Sequence, residues 1–190
     1  MVRVWSIALA ACACWVASTA AHGSSALEAF DEACTPTLRP YETVTKRLEG
    51  LGWSMVPPGA DQRLDQAMGN LLSPPGATTR TFEVAMFRRE RDGQALHLIL
   101  QRKGRGATPD LTVCHLYDFA ASEPVPDAEF QTRFTDLPTR VLLSDRGRAL
   151  TTNYVRFDAM FHPDPTLGGA FAREGRLLEG VHLRASGYGQ

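Results

Sequence analysis

The middle of the chain constrains the fold most, because apolar residues there recur at every second position. They stand on both sides of Asp92-Gly93: Phe82, Val84 and Met86 before the pair, and Leu96, Leu98 and Leu100 after it. Such alternation is typical of a β-strand with one buried face, and Asp-Gly between two such runs favours a tight turn. The sequence therefore predicts a β-hairpin at the centre of the domain.

Helices are expected before this hairpin and further strands after it. Segments 26–33 and 41–51 carry apolar residues at helical spacing, and Asp61 stands where it would cap a third helix. More strands are expected at 111–119, 149–157 and 177–185, a further helix after Pro126, and a frayed tail from Ser186. This order predicts an α+β fold, in which an antiparallel sheet of about five strands carries the N-terminal helices on one face.

Residues 1–20 have the layout of a secretory signal peptide. Arg3 precedes an apolar run from Val4 to Val16, and small residues follow at 18–21. The run is shorter than the ~20 residues that a membrane-spanning helix needs, and no second run of this kind follows. We therefore expect residues 21–190 to form a single α+β domain, periplasmic or secreted, without a transmembrane span.

A lipid anchor is the alternative to complete removal of this segment. Leu9-Ala10-Ala11-Cys12 is similar to the lipobox of bacterial lipoproteins, but apolar residues continue beyond Cys12, where a lipoprotein usually turns polar. Processing at Cys12 would indicate an envelope structural or assembly factor.

Removal of residues 1–20 leaves two of the four cysteines, Cys34 and Cys114. An even pair in an exported chain predicts one disulfide. If Cys114 then points towards the helices, alternation places His115 and Tyr117 on the other sheet face.

The remaining residues carry a small net negative charge, since only Arg3 is charged in the removed segment. Nucleic-acid binding requires a basic patch, so this charge balance predicts that the chain does not bind nucleic acid.

Two groups of residues are candidates for a ligand site. If the strands at 94–102 and 111–119 are neighbours, then His97, His115 and Tyr117 share one sheet face and can hold a metal or a polar ligand. No further metal ligands are evident, so no metal and no cofactor are assigned, and solvent-facing strand residues are the plainer interpretation. His182 can join this face, but the sequence does not fix its register.

The second candidate is His162-Pro163-Asp164-Pro165. There His162 and Asp164 can act as an acid/base pair or an ion ligand, although a rigid turn explains the same residues. A basic stretch at 103–106 is expected to be a solvated loop that can also insert into a partner.

The order of features resembles that of small uncharacterised exported proteins of Gram-negative bacteria, of the alphaproteobacterial kind. The shared features, besides the signal peptide, are Phe30-x-x-x-Cys34 at the end of a helix, Gly52-Trp53, and Cys114-His115-Leu116-Tyr117-Asp118-Phe119 on a strand. The resemblance implies export and a disulfide. It implies no activity, so no functional residue is carried over.

The familiar catalytic motifs are missing from the sequence: it contains no Gly-x-Ser-x-Gly elbow, no His-Glu-x-x-His pair, no phosphate-binding glycine loop and no Cys-x-x-Cys pair. We therefore expect an exported, inhibitor-like binding or protein-interaction module whose partner is an envelope protein or a small ligand. The alternative is a small periplasmic hydrolase or metal-dependent enzyme. Its site would draw on His97, His115 and Tyr117, or on His162 and Asp164.

Overall fold

The computed structural model describes residues 21–35, 41–72, 78–105, 108–133, 140–144, 147–151, 155–162 and 180–188. The expected signal peptide with Cys12 lies outside the described residues, and so does Asp164.

Helices and strands occur in the order that the sequence predicts for an α+β fold. The helices are α1 (Ala21–Cys34), α2 (Tyr41–Gly50), α3 (Gln62–Leu71) and α4 (Asp127–Arg133). The strands are β1 (Ser54–Met55), β2 (Thr79–Arg91), β3 (Gln94–Arg105), β4 (Thr108–Asp118), β5 (Arg140–Ser144), β6 (Gly147–Thr151), β7 (Val155–His162) and β8 (Gly180–Tyr188). The fold class is confirmed.

The described strands form one antiparallel sheet in the order β1-β2-β3-β4-β8-β7-β6-β5. The pairing of β8 with β4 brings the last described strand to the middle of the sheet, where it joins two meanders. Five of these strands, β2, β3, β4, β7 and β8, correspond to those expected. The single strand expected at 149–157 is wrong, because the described residues of this range belong to two strands, β6 and β7, which pair with each other.

The C-terminal strand also extends further than expected. A frayed tail was expected from Ser186, but Ser186 pairs with Val113 and the ladder continues to Tyr188. β8 begins at Gly180, whose φ of +103° favours glycine. A Cβ atom there would lie 2.1 Å from the Asp118 carbonyl oxygen. A glycine at this position therefore lets β8 lie close against the end of β4.

The helices α1 and α2 pack against one face of the sheet, which we call the inner face. Phe30 of α1 is fully buried in the same core cluster as Leu98 of β3 and Leu116 of β4. Cys34 at the end of α1 is bonded to Cys114 of β4, with their Cα atoms 5.6 Å apart. The expected disulfide and the expected helix layer are both present.

The third helix, α3, packs against the opposite face, which we call the outer face. Leu64 and Ala67 of α3 are buried against Ile99 of β3 and Tyr117 of β4. Asp61 caps α3 as expected, since its Oδ1 accepts a hydrogen bond of 3.0 Å from the backbone N–H of Leu64. The expectation that the N-terminal helices share one sheet face is therefore wrong for α3, because its apolar residues pack on the outer face and cover part of it.

The prediction of a basic loop at 103–106 is wrong for residues 103–105, because β3 continues to Arg105. The ammonium of Lys103 donates to the carbonyl of Leu71 at 3.1 Å. Arg102 forms ion pairs with Glu42 and Glu83. Both side chains are thus engaged within the fold, because the strand positions them against α3 and α2.

The hairpin turn between β2 and β3 follows the expected geometry. Asp92 and Gly93 have φ values of 52° and 76°, and Arg91 pairs with Gln94. Two successive positive φ angles are what a tight hairpin turn of the favoured hand requires.

Candidate functional site

Four side chains meet on the outer face near the centre of the sheet. We call them the outer-face cluster: Gln101 of β3, His115 and Tyr117 of β4, and His182 of β8. The register places Gln101 opposite Val113, and Tyr117 opposite His182. Opposite residues in an antiparallel pair point to the same face. The pairing of β8 with β4 therefore places His182 beside His115 and Tyr117 of the expected site.

A chain of hydrogen bonds runs through the cluster from α3 to β8. Gln101 Nε2 donates to the carbonyl of Leu71 at 3.3 Å. His115 Nε2 lies 3.2 Å from Gln101 Oε1, and His115 Nδ1 lies 3.0 Å from His182 Nε2. The chain thus links α3 to three neighbouring strands.

The donors and acceptors in this chain determine where His115 carries its proton. The Leu71 carbonyl only accepts, so it holds the amide nitrogen of Gln101 towards α3 and leaves the amide oxygen towards His115. That oxygen also only accepts, so His115 is protonated on Nε2. Its Nδ1 is then an acceptor, and His182 donates to it from Nε2.

Burial keeps His115 neutral. The residue is 2% exposed, and burial lowers the pKa of its imidazole well below the ordinary range. His182, Arg184 and Lys103 lower this pKa further, because each disfavours a second positive charge nearby. At neutral pH the lone pair on His115 Nδ1 is therefore not lost to protonation.

Ring stacking fixes the position of His182. Its ring centroid lies 4.2 Å from that of Tyr117, with 12° between the planes, and 5.2 Å from that of His115. Burial raises the pKa of the Tyr117 hydroxyl, an effect that Arg184 partly opposes, so the phenol stays protonated. The imidazole of His182 is held from one side by stacking and from another by its hydrogen bond.

The cluster is more open on the β8 side than on the β4 side. His182 and Arg184 are half-buried, whereas His115 is enclosed. Lys103 lies on the β3 side, and burial lowers its pKa, an effect that Arg184 increases. His182 is therefore the more accessible of the two imidazoles in the cluster, and Lys103 and Arg184 lie near it.

His97, also a predicted site residue, lies on the outer face but in a separate group. Its Nε2 is 3.0 Å from Asp61 Oδ2, and its ring lies 4.8 Å from that of Phe119. Burial lowers the pKa of His97, and Asp61 offsets part of that effect. Burial tends to raise the pKa of Asp61, but the Leu64 N–H and His97 stabilise its carboxylate and lower it. His97 thus fastens the cap of α3 to β3.

The second predicted group is only partly placed. His162 is the last residue of β7, and its backbone pairs with Gly180. Asp164 lies outside the described residues. An acid/base role for this pair therefore stays a prediction.

A cavity of about 520 Å³ lies between α1 and α4, lined by Leu27, Ala128, Glu129, Thr132 and Arg133. The Arg133 guanidinium lies 3.5 Å from Asp31 and 3.8 Å from Glu28 of α1. The positive charge of Arg133 is thus balanced by carboxylates of α1. Because this cation is already paired, the outer-face cluster is the stronger candidate site.

The described residues contain no group of three His, Cys, Asp or Glu side chains that could hold a metal ion. What the outer-face cluster offers is a half-buried imidazole, His182, whose ring is oriented by a 3.0 Å hydrogen bond to the buried His115. A ring oriented in this way can bind a polar ligand.

Two members of the cluster were not among the predicted site residues. Gln101 occupies an outer-face position of β3, where α3 covers it and it is 0% exposed. His182 was considered, but its position depended on the pairing of β8 with β4. The only local sequence signal for a role of Gln101 in the cluster is that a polar residue follows the apolar residues of β3.

Comparisons with protein-family models, with curated proteins and with solved structures found no match for this chain. Within the described ranges, no helix combines the length and apolar character that crossing a membrane requires. The similarity to exported proteins of the alphaproteobacterial kind therefore stays a prediction, and a functional proposal has to start from the outer-face cluster.

Proposed function

We propose that this chain is an exported, periplasmic binding module tied by the Cys34–Cys114 disulfide, and that it binds a small ligand at the outer-face cluster. The role is binding, with the half-buried His182 as the ligand-contacting group and with His115 and Gln101 as the residues that orient it.

The observation that carries this proposal is the buried hydrogen-bond chain from Leu71 to His182. Burial of an imidazole and a carboxamide costs free energy that apolar side chains would avoid. Apolar residues fit these strands, since Ile99 and Val113 are buried beside them. The hydrogen bonds offset the cost and hold His115 Nδ1 and the His182 ring in one orientation. Support of this kind behind an open group is typical of a preorganised binding site.

The disulfide supports the proposed compartment. Cys34 and Cys114 are both 0% exposed and bonded to each other. Disulfides persist in oxidising compartments such as the periplasm and are rare in the cytosol. Together with the signal-peptide layout of residues 1–20, this favours export.

The proposal is tested by expressing the full chain, recovering it from the periplasm under oxidising conditions and measuring its mass in native and denatured states. We expect a mature chain without residues 1–20, two hydrogens lighter than the reduced form, and a bound species that denaturation releases. The bound species should be lost in His182→Ala and kept in His97→Gln, which removes an imidazole outside the cluster.

A clean monomer with no captured ligand or protein would contradict binding. An intact Met1 and two free thiols in a cytosolic product would contradict export. A captured envelope protein that survives His182→Ala would place recognition on another surface and replace the small-ligand proposal.

A hydrolase is less well supported. The one carboxylate–imidazole pair on the outer face whose geometry is described joins Asp61 to His97. A general base must come within hydrogen-bond reach of its substrate. The side chain of His97 is only 9% exposed and lies beneath the cap of α3. This pair therefore has a clearer structural role than a catalytic one.

A further inference from the structure

We propose that the outer side of β8 binds the oxyanion group of a small ligand, a carboxylate or a phosphate, through His182, Arg184 and Ser186. We call these three residues the β8 stripe. The proposal rests on the proposed function, since it names the chemical class of the ligand that the outer-face cluster takes.

The β8 stripe is the more open part of the outer face beside the cluster. Its three residues are half-buried, and the residues between them are buried on the inner side of the strand. The residues opposite them on β4 are at most 5% exposed: Tyr117, His115 and Val113. Exposure therefore increases from β4 to β8, and a ligand on the stripe is flanked on one side by the part of the face that α3 covers.

The side chains of the stripe supply the donors that an oxyanion needs. A guanidinium presents N–H donors in a planar fork that matches two oxygens of a carboxylate or a phosphate. A serine hydroxyl donates one hydrogen bond, and an imidazolium donates from both ring nitrogens. Successive residues of the stripe are about 7 Å apart along the strand, so the central Arg184 can share one ligand with either neighbour.

Positive charge is concentrated here, although the whole chain has a formal net charge of −1. Burial lowers the pKa of Lys103, and Arg184 lowers it further. Burial also lowers the pKa of His115, and three basic side chains, Arg184 among them, lower it further. Among the described residues, no carboxylate contributes to either shift. An anion on the stripe would offset the repulsion between these groups, whereas a cation would add to it.

The neighbouring strand β7 adds no net charge at the positions beside the stripe. The register places Asp158 opposite Arg184, and Arg156 opposite Ser186. Opposite residues of an antiparallel pair share a sheet face, so one acid and one base join this surface. The excess of positive charge therefore comes from β8 and Lys103, and Asp158 is the β7 residue whose charge opposes an anion.

Anion binding determines the protonation of His182. In the ligand-free chain its Nε2 donates to His115 Nδ1 at 3.0 Å. Nδ1 of a neutral ring in this tautomer only accepts, and an oxyanion also only accepts. A neutral His182 therefore takes up one proton from solvent at Nδ1 and donates it to the anion as a hydrogen bond. The bond to His115 and the tautomer of His115 stay as they are.

The test is an NMR titration of the purified, disulfide-bonded chain at pH 6.5 with inorganic phosphate and, separately, with succinate, with sodium chloride keeping the ionic strength constant. We expect saturable shifts of the Ser186 amide and of the His182 ring nitrogens with at least one of the two anions. Saturation by phosphate alone indicates a phosphate ligand, saturation by succinate alone indicates a carboxylate ligand, and saturation by both indicates a site that accepts either group.

Substitutions assign the binding to the stripe. Arg184→Gln should weaken binding about tenfold or more, the loss expected for a hydrogen bond to a charged group. Arg184→Lys keeps the charge without the fork and should lose less, as should Ser186→Ala. Asp158→Asn should strengthen binding, because it removes a negative charge from the residue opposite Arg184.

The matched control is Arg89→Gln, which removes the same charge from a half-buried strand residue. Arg89 lies on β2 and pairs with Glu32 of α1 on the inner face. Three strand spacings, about 14 Å, separate β2 from β8, so salt should screen this charge and the affinity should change less than about twofold. Circular dichroism checks that each variant is folded, and if Arg184→Gln unfolds, Arg184→Lys and Ser186→Ala decide.

The oxyanion site is overturned if neither anion gives saturable shifts, if the substitutions on the stripe leave the affinity unchanged, or if Arg89→Gln causes an equal loss. Each of these results leaves the proposed function intact when the native mass still shows a bound species that depends on His182. If that species is also absent, the binding proposal fails together with the oxyanion site.

Discussion

Acidification should destabilise this protein between pH 6.5 and pH 5, because His115 is buried as the neutral imidazole. In the unfolded chain a histidine takes up a proton below about pH 6.5. In the folded chain burial, His182, Arg184 and Lys103 lower the pKa of His115 well below that value. The unfolded state therefore binds a proton that the folded state does not, and stability falls as the pH falls.

The size of the effect follows from this difference of one proton. Wherever the unfolded state carries one more proton than the folded state, the free energy of unfolding falls by about 1.4 kcal/mol per pH unit. His97 contributes in the same direction, because burial lowers its pKa too. Its contribution should be smaller, since Asp61 offsets part of the burial.

Urea unfolding at pH 7.5, 6.5 and 5.5 measures the slope. The wild-type chain should lose stability steadily below pH 6.5, and His115→Gln should remove about 1 kcal/mol of the loss between pH 6.5 and pH 5.5, where the unfolded histidine is between half and fully protonated. His97→Gln should remove less. Equal slopes for wild type and His115→Gln would show that His115 is not held neutral by the fold, and would refute the reasoning.

Three further changes test the architecture. Replacing both Cys34 and Cys114 with alanine should lower the free energy of unfolding by about 4 kcal/mol on the loop-entropy argument, since the bridge spans 80 residues; an unchanged urea midpoint against the oxidised parent would contradict the tie. Gly180→Ala should cost at least about 1–3 kcal/mol in the same assay, because φ is positive and the new Cβ would meet a backbone oxygen at the end of β4; a neutral effect would show that β8 does not lie so close. Asp61→Ala should cost about 1–3 kcal/mol through the lost helix cap and the orphaned His97 nitrogen; Asp61→Asn keeps a capping oxygen and should lose less, so equal losses would argue against the cap.

The inner half of the fold could be predicted because each of its signals is local. The alternation around Asp92-Gly93 defines the hairpin, and the surviving pair Cys34 and Cys114 joins the first helix to β4. Once that bond is assumed, the period of two in a strand assigns His115 and Tyr117 to the opposite face.

The outer half depended on contacts between residues far apart in sequence. The side chain of Gln101 is buried because α3 covers this face, and His182 joins the cluster because β8 pairs with β4. An amphipathic helix does not specify which sheet face it covers, and a strand does not specify its neighbour. The outer-face cluster depends on both of these contacts, so the sequence could name His115 and Tyr117 as site residues but could not place Gln101 and His182 beside them.

The tautomer of His115 tests most directly whether the outer-face cluster is preorganised for a ligand. Nitrogen-15 NMR of the imidazole side chains, recorded from pH 8 to pH 5, distinguishes the two neutral forms from imidazolium. We expect His115 to carry its proton on Nε2 and to resist protonation below pH 6. A proton on Nδ1, or titration of His115 near pH 6.5, would contradict the hydrogen-bond chain and the binding site built on it.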